Sequence, residues 1–145
     1  TEADVRDLFG VRTPLELAAV RIIVHNGLSL AGARARLAEL AALSEGANWA
    51  DLVQAHTAFH VALIDAAGSP RLSRIYPALQ EEMQLCLAQL RPHYPEPGAL
   101  AAEHRDLLGA IASGDADRAC DEMREHLERA VRNFTTDARP SGQSA

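Results

Sequence analysis

Aromatic side chains are scarce in this sequence, at 4% of 145 residues. A chain of this length forms one domain that buries about two-thirds of its unfolded surface. Its core must therefore be built from Ala, Leu, Val and Ile, a composition that favours close-packed helices. Lysine is absent, because all 14 basic residues are arginine. Together with the abundant alanine this bias is typical of high-GC coding, and it indicates no particular chemistry.

Cysteines and long apolar runs are also in short supply. Cys86 and Cys120 lie on separate predicted helices without CxxC spacing, so they form neither a disulfide framework nor a zinc knuckle and are expected to be reduced core thiols. No apolar run approaches the roughly 18 residues of a membrane span. The chain start lacks the basic-then-apolar pattern of a targeting segment. The sequence therefore predicts a soluble, cytoplasmic protein with no membrane partner.

Positive charge is in deficit. The 14 basic and 20 acidic residues give a formal net charge of -6 with the histidines neutral. Affinity for a nucleic-acid backbone requires a basic face. We therefore expect that this chain alone does not bind DNA.

Helix signals recur along the chain, whereas strand and hairpin signals are missing. Thr13-Pro14-Leu15-Glu16 resembles a capping box with proline at the first helical position. We predict one all-α domain over residues 1–139, an antiparallel bundle of six to seven helices, and a disordered tail over residues 140–145. The predicted elements are a short segment over 3–9, helices over 13–26, 29–43, 48–68, 69–90, 99–113 and 115–138, and a loop over 92–98.

Four of the six histidines fall on the apolar stripes of these helices. His56 and His60 are four residues apart on the third helix, which places both on one face. His104 lies at the centre of the stripe on the helix over 99–113, and His126 does so on the last helix. Three helices are therefore expected to direct histidine into the bundle.

A buried imidazole carries one donor and one acceptor, and leaving either unpaired costs about 1–3 kcal/mol. The inner faces offer few carboxylates or hydroxyls as partners, and imidazole is a favoured ligand of zinc, nickel, copper and iron. The alternative is that each ring is an ordinary, separately satisfied core histidine. We predict a divalent metal site in a central cavity, held by His56, His60, His104 and His126. His25 and His93 are expected to be bystanders.

Two known metal-site patterns do not fit. A zinc-protease helix places Glu directly after its first histidine, where this chain has Thr57. Carboxylate-bridged di-iron bundles place Glu three residues before histidine, where this chain has Ala101 and Met123. Asp65 and Glu103 are the nearest candidates for a general base, and helical geometry directs both away from the inner stripes. We expect no enzymatic activity, with a metal-dependent hydrolase and a metal-free dimerisation bundle as the alternatives.

Several short segments keep an order and spacing found in a known family. They are Val5-Arg6-Asp7-Leu8-Phe9, Val11-Arg12 with Leu15-Glu16, Phe59-His60 with Ala66-Ala67-Gly68, Glu103-His104, Gly114-Asp115, and Met123 with His126-Leu127. They resemble the FCD domain, the C-terminal effector-binding domain of the FadR subfamily of GntR-type bacterial transcription regulators. The resemblance extends from Val5 to about Phe134.

The resemblance implies an all-helical sensor that acts in a dimer and reads DNA only through an N-terminal winged-helix domain, expected outside this chain. In many members an Asp or Asn and three histidines hold a metal, and a small carboxylate effector completes the coordination. The position of that Asp is His56 here, so we expect zinc or nickel rather than manganese or magnesium. The family's effector-binding arginine maps to Arg12, whose guanidinium suits a small organic acid.

Overall fold

The computed structural model describes residues 1–89 and 95–136, and within these ranges the chain forms six α-helices and no strand. The prediction of an all-α bundle is confirmed. The helices are α1 (Glu2–Asn26), α2 (Ala31–Ala41), α3 (Trp49–Ala66), α4 (Pro70–Gln89), α5 (Pro97–Ala112) and α6 (Ala116–Thr136).

The first helix differs most from its prediction. α1 begins after Thr1, whose hydroxyl accepts a hydrogen bond from the Asp4 backbone at 3.2 Å, and it continues through Pro14 to Asn26. The predicted helix start at Thr13 and the separate segment over residues 3–9 are therefore wrong. The helix ends at Asn26, and Gly27 caps it. The φ of Gly27 is 59°, in the left-handed region that glycine adopts without strain.

A buried stripe explains why α1 does not stop at the proline. Proline inside a helix costs about 3 kcal/mol because it removes a backbone hydrogen bond and its ring crowds the preceding turn. Buried residues nevertheless recur at helical spacing on both sides of Pro14, so one continuous helix buries them all. They are Val5, Phe9, Arg12, Glu16, Val20 and Ile23.

Most other helix starts follow their predicted caps. The Asn48 side chain accepts from the Asp51 backbone at 2.9 Å, and an Asp115 carboxylate oxygen accepts from the backbone N–H of Asp117 and Arg118 at 3.0 Å each. α5 begins at Pro97, inside the predicted loop over residues 92–98, because proline suits the first turn of a helix. α2 ends at Ala41, two residues before the predicted end at Leu43. The predicted ends of α4 and α6 and the predicted tail lie outside the described residues.

The packing of the helices brings their inner faces to one region. α1 packs on α3, α4, α5 and α6, α2 packs on α3 and α5, and α5 packs on α6. Phe59 and Tyr76 are among the largest fully buried side chains. Cys86 and Cys120 are free thiols, as predicted. Over residues 1–89 and 95–136, the structure contains no helix with the length and apolar character needed to cross a membrane.

Candidate metal centre

The structure brings the four predicted histidines together. His56 and His60 come from α3, His104 from α5 and His126 from α6. Each contributes a ring nitrogen, and these atoms all lie within 4.8 Å of one another. His56 is half-buried and the other three rings are buried. We call these four residues the histidine cluster.

Hydrogen bonds outside the histidine cluster determine which nitrogens face into it. His104 Nδ1 lies 2.7 Å from the Leu100 carbonyl oxygen, and His60 Nδ1 lies 3.0 Å from Glu16 Oε2. Both oxygens are acceptors, so each Nδ1 carries the ring proton and donates it. The Nε2 atoms of His60 and His104 therefore carry lone pairs.

Those lone pairs converge inside the cluster. His60 Nε2 lies 3.0 Å from His104 Nε2 and 3.2 Å from His56 Nε2. Two ligand nitrogens about 2.0–2.1 Å from a tetrahedral zinc are roughly 3.3 Å apart, so this spacing is close to that of neighbouring zinc ligands. Without a cation, the His60 and His104 lone pairs face each other with no proton between them.

Burial keeps the cluster neutral. Desolvation lowers the pKa of His104 to about 4 and holds the pKa values of His56, His60 and His126 well below 6.5. For His60, the positive charge of Arg12 is the next cause. At neutral pH the rings are therefore already in the deprotonated form that binds metal.

Among residues 1–89 and 95–136, two buried polar atoms near the cluster have no hydrogen-bond partner. They are His126 Nδ1 and Arg12 Nη2. An unsatisfied buried group costs about 1–3 kcal/mol, and such exceptions in native proteins mark functional sites or the positions of bound ions and water. Both atoms therefore point to a ligand that the protein alone does not supply.

Phe59 forms one wall of the cluster. Its ring meets His60 edge-on at a centroid distance of 5.3 Å and His104 at 4.9 Å, with interplanar angles of 88° and 86°. Phe59 is fully buried. Packing against this ring restricts the rotation of both imidazoles and so fixes the direction of their nitrogens.

Arg12 is buried in a polar network that the sequence did not reveal. Its Nε donates to Glu16 Oε1 in a very short contact and to the Tyr76 hydroxyl at 3.2 Å. The Tyr76 hydroxyl donates to the same carboxylate oxygen at 2.5 Å and accepts from Gln80 Nε2 at 2.5 Å. Burial opposes the charge of Arg12, but the Glu16 carboxylate and Tyr76 outweigh it and raise the pKa of Arg12 above its usual value. Glu16 also bonds His60, so the network joins Arg12 to the histidine cluster.

Three residues of this site were missed from the sequence, namely Glu16, Tyr76 and Gln80. A usable signal existed for Glu16, because it follows Arg12 by four residues in the buried stripe of α1, where opposite charges pair. The capping-box interpretation of Thr13 to Glu16 concealed it. No comparable signal existed for Tyr76, because its charged partners Arg12 and Glu16 come from another helix.

A small cavity of about 30 Å³ lies beside the cluster, which is room for a water molecule or two. Its polar lining includes Arg12, His56, His126, Glu103 and Asn133, and Phe9 and Phe134 are among its apolar walls. Glu103 thus lies closer to the site than helical geometry suggested, although it also pairs with Arg129 at 3.7 Å.

A larger surface groove of about 580 Å³ lies between α3 and α4, and none of the described histidines lines it.

The remaining predicted residues lie apart from the site. His25 is exposed in the last turn of α1, where it was expected to be a bystander. Asp65 is exposed on α3. His93 lies outside the described residues.

The chain matches one family model and is similar to several solved structures, two of which are compared with it here. The FCD domain family matches residues 7–129. The Zn²⁺-bound FCD domain of TM0439, a protein assigned as a transcriptional regulator, superposes with a TM-score of 0.73 and 18% identity over 94% of this chain and 95% of that one. E. coli McbR/YncC superposes with a TM-score of 0.74 and 21% identity over 92% of this chain, which spans 65% of that protein. No curated protein matches the sequence significantly.

Proposed function

This chain belongs to the FCD domain family, and we propose that it is the effector-sensing domain of a GntR-type transcription regulator of the FadR subfamily. In this proposal residues 1–139 form the sensor of a cytoplasmic homodimer. DNA is read by a winged-helix domain outside the chain described here, in keeping with the net charge of -6. Occupancy of the sensor changes the affinity of the regulator for DNA.

We further propose that the histidine cluster holds one divalent metal ion. The observation that carries this is the 3.0 Å separation of His60 Nε2 and His104 Nε2, two acceptor nitrogens whose ring protons are engaged elsewhere. A shared cation turns this repulsive contact into two favourable ones. The likeness to the Zn²⁺-bound FCD domain of TM0439 supports the same assignment.

Zinc and nickel are the ions that best suit this donor set. Four imidazole nitrogens are intermediate in softness, whereas manganese and magnesium prefer carboxylate and water oxygens. No carboxylate belongs to the cluster among the described residues. The neutral rings leave the charge of the ion uncompensated, which favours an anion nearby.

The effector in this proposal is a small organic acid. Arg12 is positively charged and lines the same cavity as His56 and His126, and its buried Nη2 has no hydrogen-bond partner in the part of the chain that the structure describes. A guanidinium donates to a carboxylate with matching geometry. Because the cavity measures only about 30 Å³, the bound acid is compact or displaces the neighbouring Phe9 and Phe134 side chains.

Metal analysis of the purified domain tests the metal proposal. We expect about one zinc or nickel ion per chain, and a lower melting temperature after chelation because a ligand bound only by the folded state stabilises it. His104→Ala and His126→Ala should abolish metal retention, since each removes one of four ligands.

His25→Ala is the matched control, because it removes an exposed histidine from outside the cluster. It should retain metal like the unmodified domain. Full metal occupancy in both cluster variants would contradict the four-histidine site. If the purified domain contains no metal and chelation leaves its melting temperature unchanged, a purely structural bundle is favoured.

A metal-dependent hydrolase is the second candidate, and the position of Glu103 on the cavity wall is the observation that favours it. A metal ion supplies water activation in such enzymes. Against this candidate, the Glu103 carboxylate pairs with Arg129 at 3.7 Å and is therefore not free to act as a general base. Turnover of simple esters and phosphates by the zinc-loaded domain distinguishes this candidate from a sensor.

A further inference from the structure

Glu16 occupies an unusual place between the histidine cluster and Arg12. Its side chain is fully buried, with a relative exposure of 0%. One carboxylate oxygen, Oε2, accepts from His60 Nδ1 at 3.0 Å. The other, Oε1, accepts from Arg12 Nε and from the Tyr76 hydroxyl. Both oxygens are thus engaged by donors from three helices, which fixes the direction of the carboxylate.

We infer that Glu16 is a positioning residue for metal binding, which fixes the tautomer of His60 so that its Nε2 lone pair faces the cluster. A carboxylate beside a metal-binding histidine orients the ring and raises its basicity. Glu16 also places a negative charge on the outer side of the His60 ring, next to a cluster of neutral imidazoles. The inference rests on the proposed function for its metal-binding consequence only.

The chemistry of Glu16→Gln makes the inference testable. Arg12 Nε and the Tyr76 hydroxyl both donate to one side of residue 16, so a glutamine there must direct its amide oxygen toward them. The amide nitrogen then faces His60 Nδ1 and donates to it. His60 must accept at Nδ1 and carry its proton on Nε2, inside the cluster.

Two measurements on the whole domain test this prediction. Nitrogen-15 NMR of the metal-free domain at neutral pH reports the His60 tautomer, with the signals identified from a His60→Gln sample. We expect the proton on Nδ1 in the unmodified domain and on Nε2 in Glu16→Gln. Competition with a chelator reports zinc affinity, which should fall about 10–100-fold in Glu16→Gln.

Tyr76→Phe is the matched control. It removes the hydroxyl that donates to the same carboxylate and accepts from Arg12 and Gln80, but leaves the Glu16 contact with His60 in place. This variant should keep the His60 proton on Nδ1, because the Glu16 carboxylate still accepts it. A His60 proton found on Nε2 in Tyr76→Phe would show that any disturbance of the buried network moves the proton and would overturn the inference.

The remaining outcomes are also decisive. A folded Glu16→Gln domain with unchanged zinc affinity overturns the inference. If Glu16→Gln fails to fold, the unmodified domain still decides, because a His60 proton found on Nε2 contradicts the role of Glu16. A domain that retains no zinc at all ends the metal proposal, whereas the tautomer of His60 still reports on Glu16.

Discussion

Arg12 has hydrogen-bond partners at one end of its guanidinium only, as far as the described residues go. Nε is bonded to Glu16 and Tyr76, while Nη2 is buried without a hydrogen-bond partner and the side chain lines the cavity. An organic acid that binds there should stabilise the metal-loaded domain by roughly 2.7 kcal/mol at 100 times its dissociation constant. Arg12→Lys keeps the charge but loses the planar fork, so we expect affinity at least about tenfold weaker, or 1.4 kcal/mol less stabilisation.

A thermal-shift screen of small organic acids measures this effect. The metal-loaded domain, the metal-free domain and Arg12→Lys are compared at the same acid concentration. Lysine is the preferred substitution because removing the charge altogether leaves Glu16 buried without its cation, which by itself costs about 3–5 kcal/mol. An acid that stabilises all three forms equally refutes the placement of the effector between Arg12 and the metal.

The course of α1 through Pro14 leads to a stability prediction for a whole helix. Pro14 is exposed, so its ring contributes no core packing. Pro14→Ala restores the backbone donor to the Gly10 carbonyl and removes a cost of about 3 kcal/mol. The unfolded chain gains freedom, which offsets roughly 0.4–1 kcal/mol of this gain. We expect the variant to be more stable by about 2 kcal/mol in urea unfolding followed by circular dichroism.

Gly109→Ala in α5 is a control for helix propensity without a proline. An added Cβ at Gly109 meets no atom within 4 Å, so this variant should gain only about 0.5–1 kcal/mol. If Pro14→Ala proves less stable than the unmodified domain, the proline contributes a bend that α1 needs in order to bury Phe9 and Arg12 together.

Helical periodicity explains why part of the site could be predicted from the sequence. His56 and His60 share a face of α3 because they are four residues apart, and the central positions of His104 and His126 in their apolar stripes direct them inward. Their meeting then follows from burial. The role of Glu16 could not be derived in the same way, because a local cap and a buried pairing with Arg12 use the same four-residue pattern. The two interpretations differ in whether residues before Thr13 are helical. The structure shows that they are, so Glu16 pairs with Arg12 inside the helix.

The neutrality of the buried histidines makes the metal-free domain as a whole sensitive to acid. Burial lowers the pKa of His104 to about 4 and holds the other three cluster histidines well below 6.5. As the pH falls, the unfolded chain takes up protons near pH 6.5 before the folded one does, so stability is full above pH 6.5 and declines from there toward pH 4. The loss is about 1.4 kcal/mol per pH unit for each ring that stays neutral.

Urea unfolding in the presence of a chelator measures this decline. Test values of about pH 7.5, 6.5 and 5.5 bracket the pKa of histidine in the unfolded chain. His104→Gln, which has no proton to gain there, should lose stability less steeply. His25→Ala should follow the unmodified domain, because that ring is exposed. Stability that is constant or rises between pH 6.5 and 5.5 contradicts the neutral cluster.

The distribution of the histidines along the chain also orders events during protein synthesis. His56 and His60 are complete as a pair once α3 forms, but His104 and His126 join them only when α5 and α6 have been made and have docked. Domains emerge from the ribosome N-terminal end first, and contacts between distant segments form late. A nascent chain that ends before α6 can therefore offer a metal at most three of the four rings. Under the proposed four-histidine site, tight binding of the ion requires the completed fold, and metal content would then measure chain maturation.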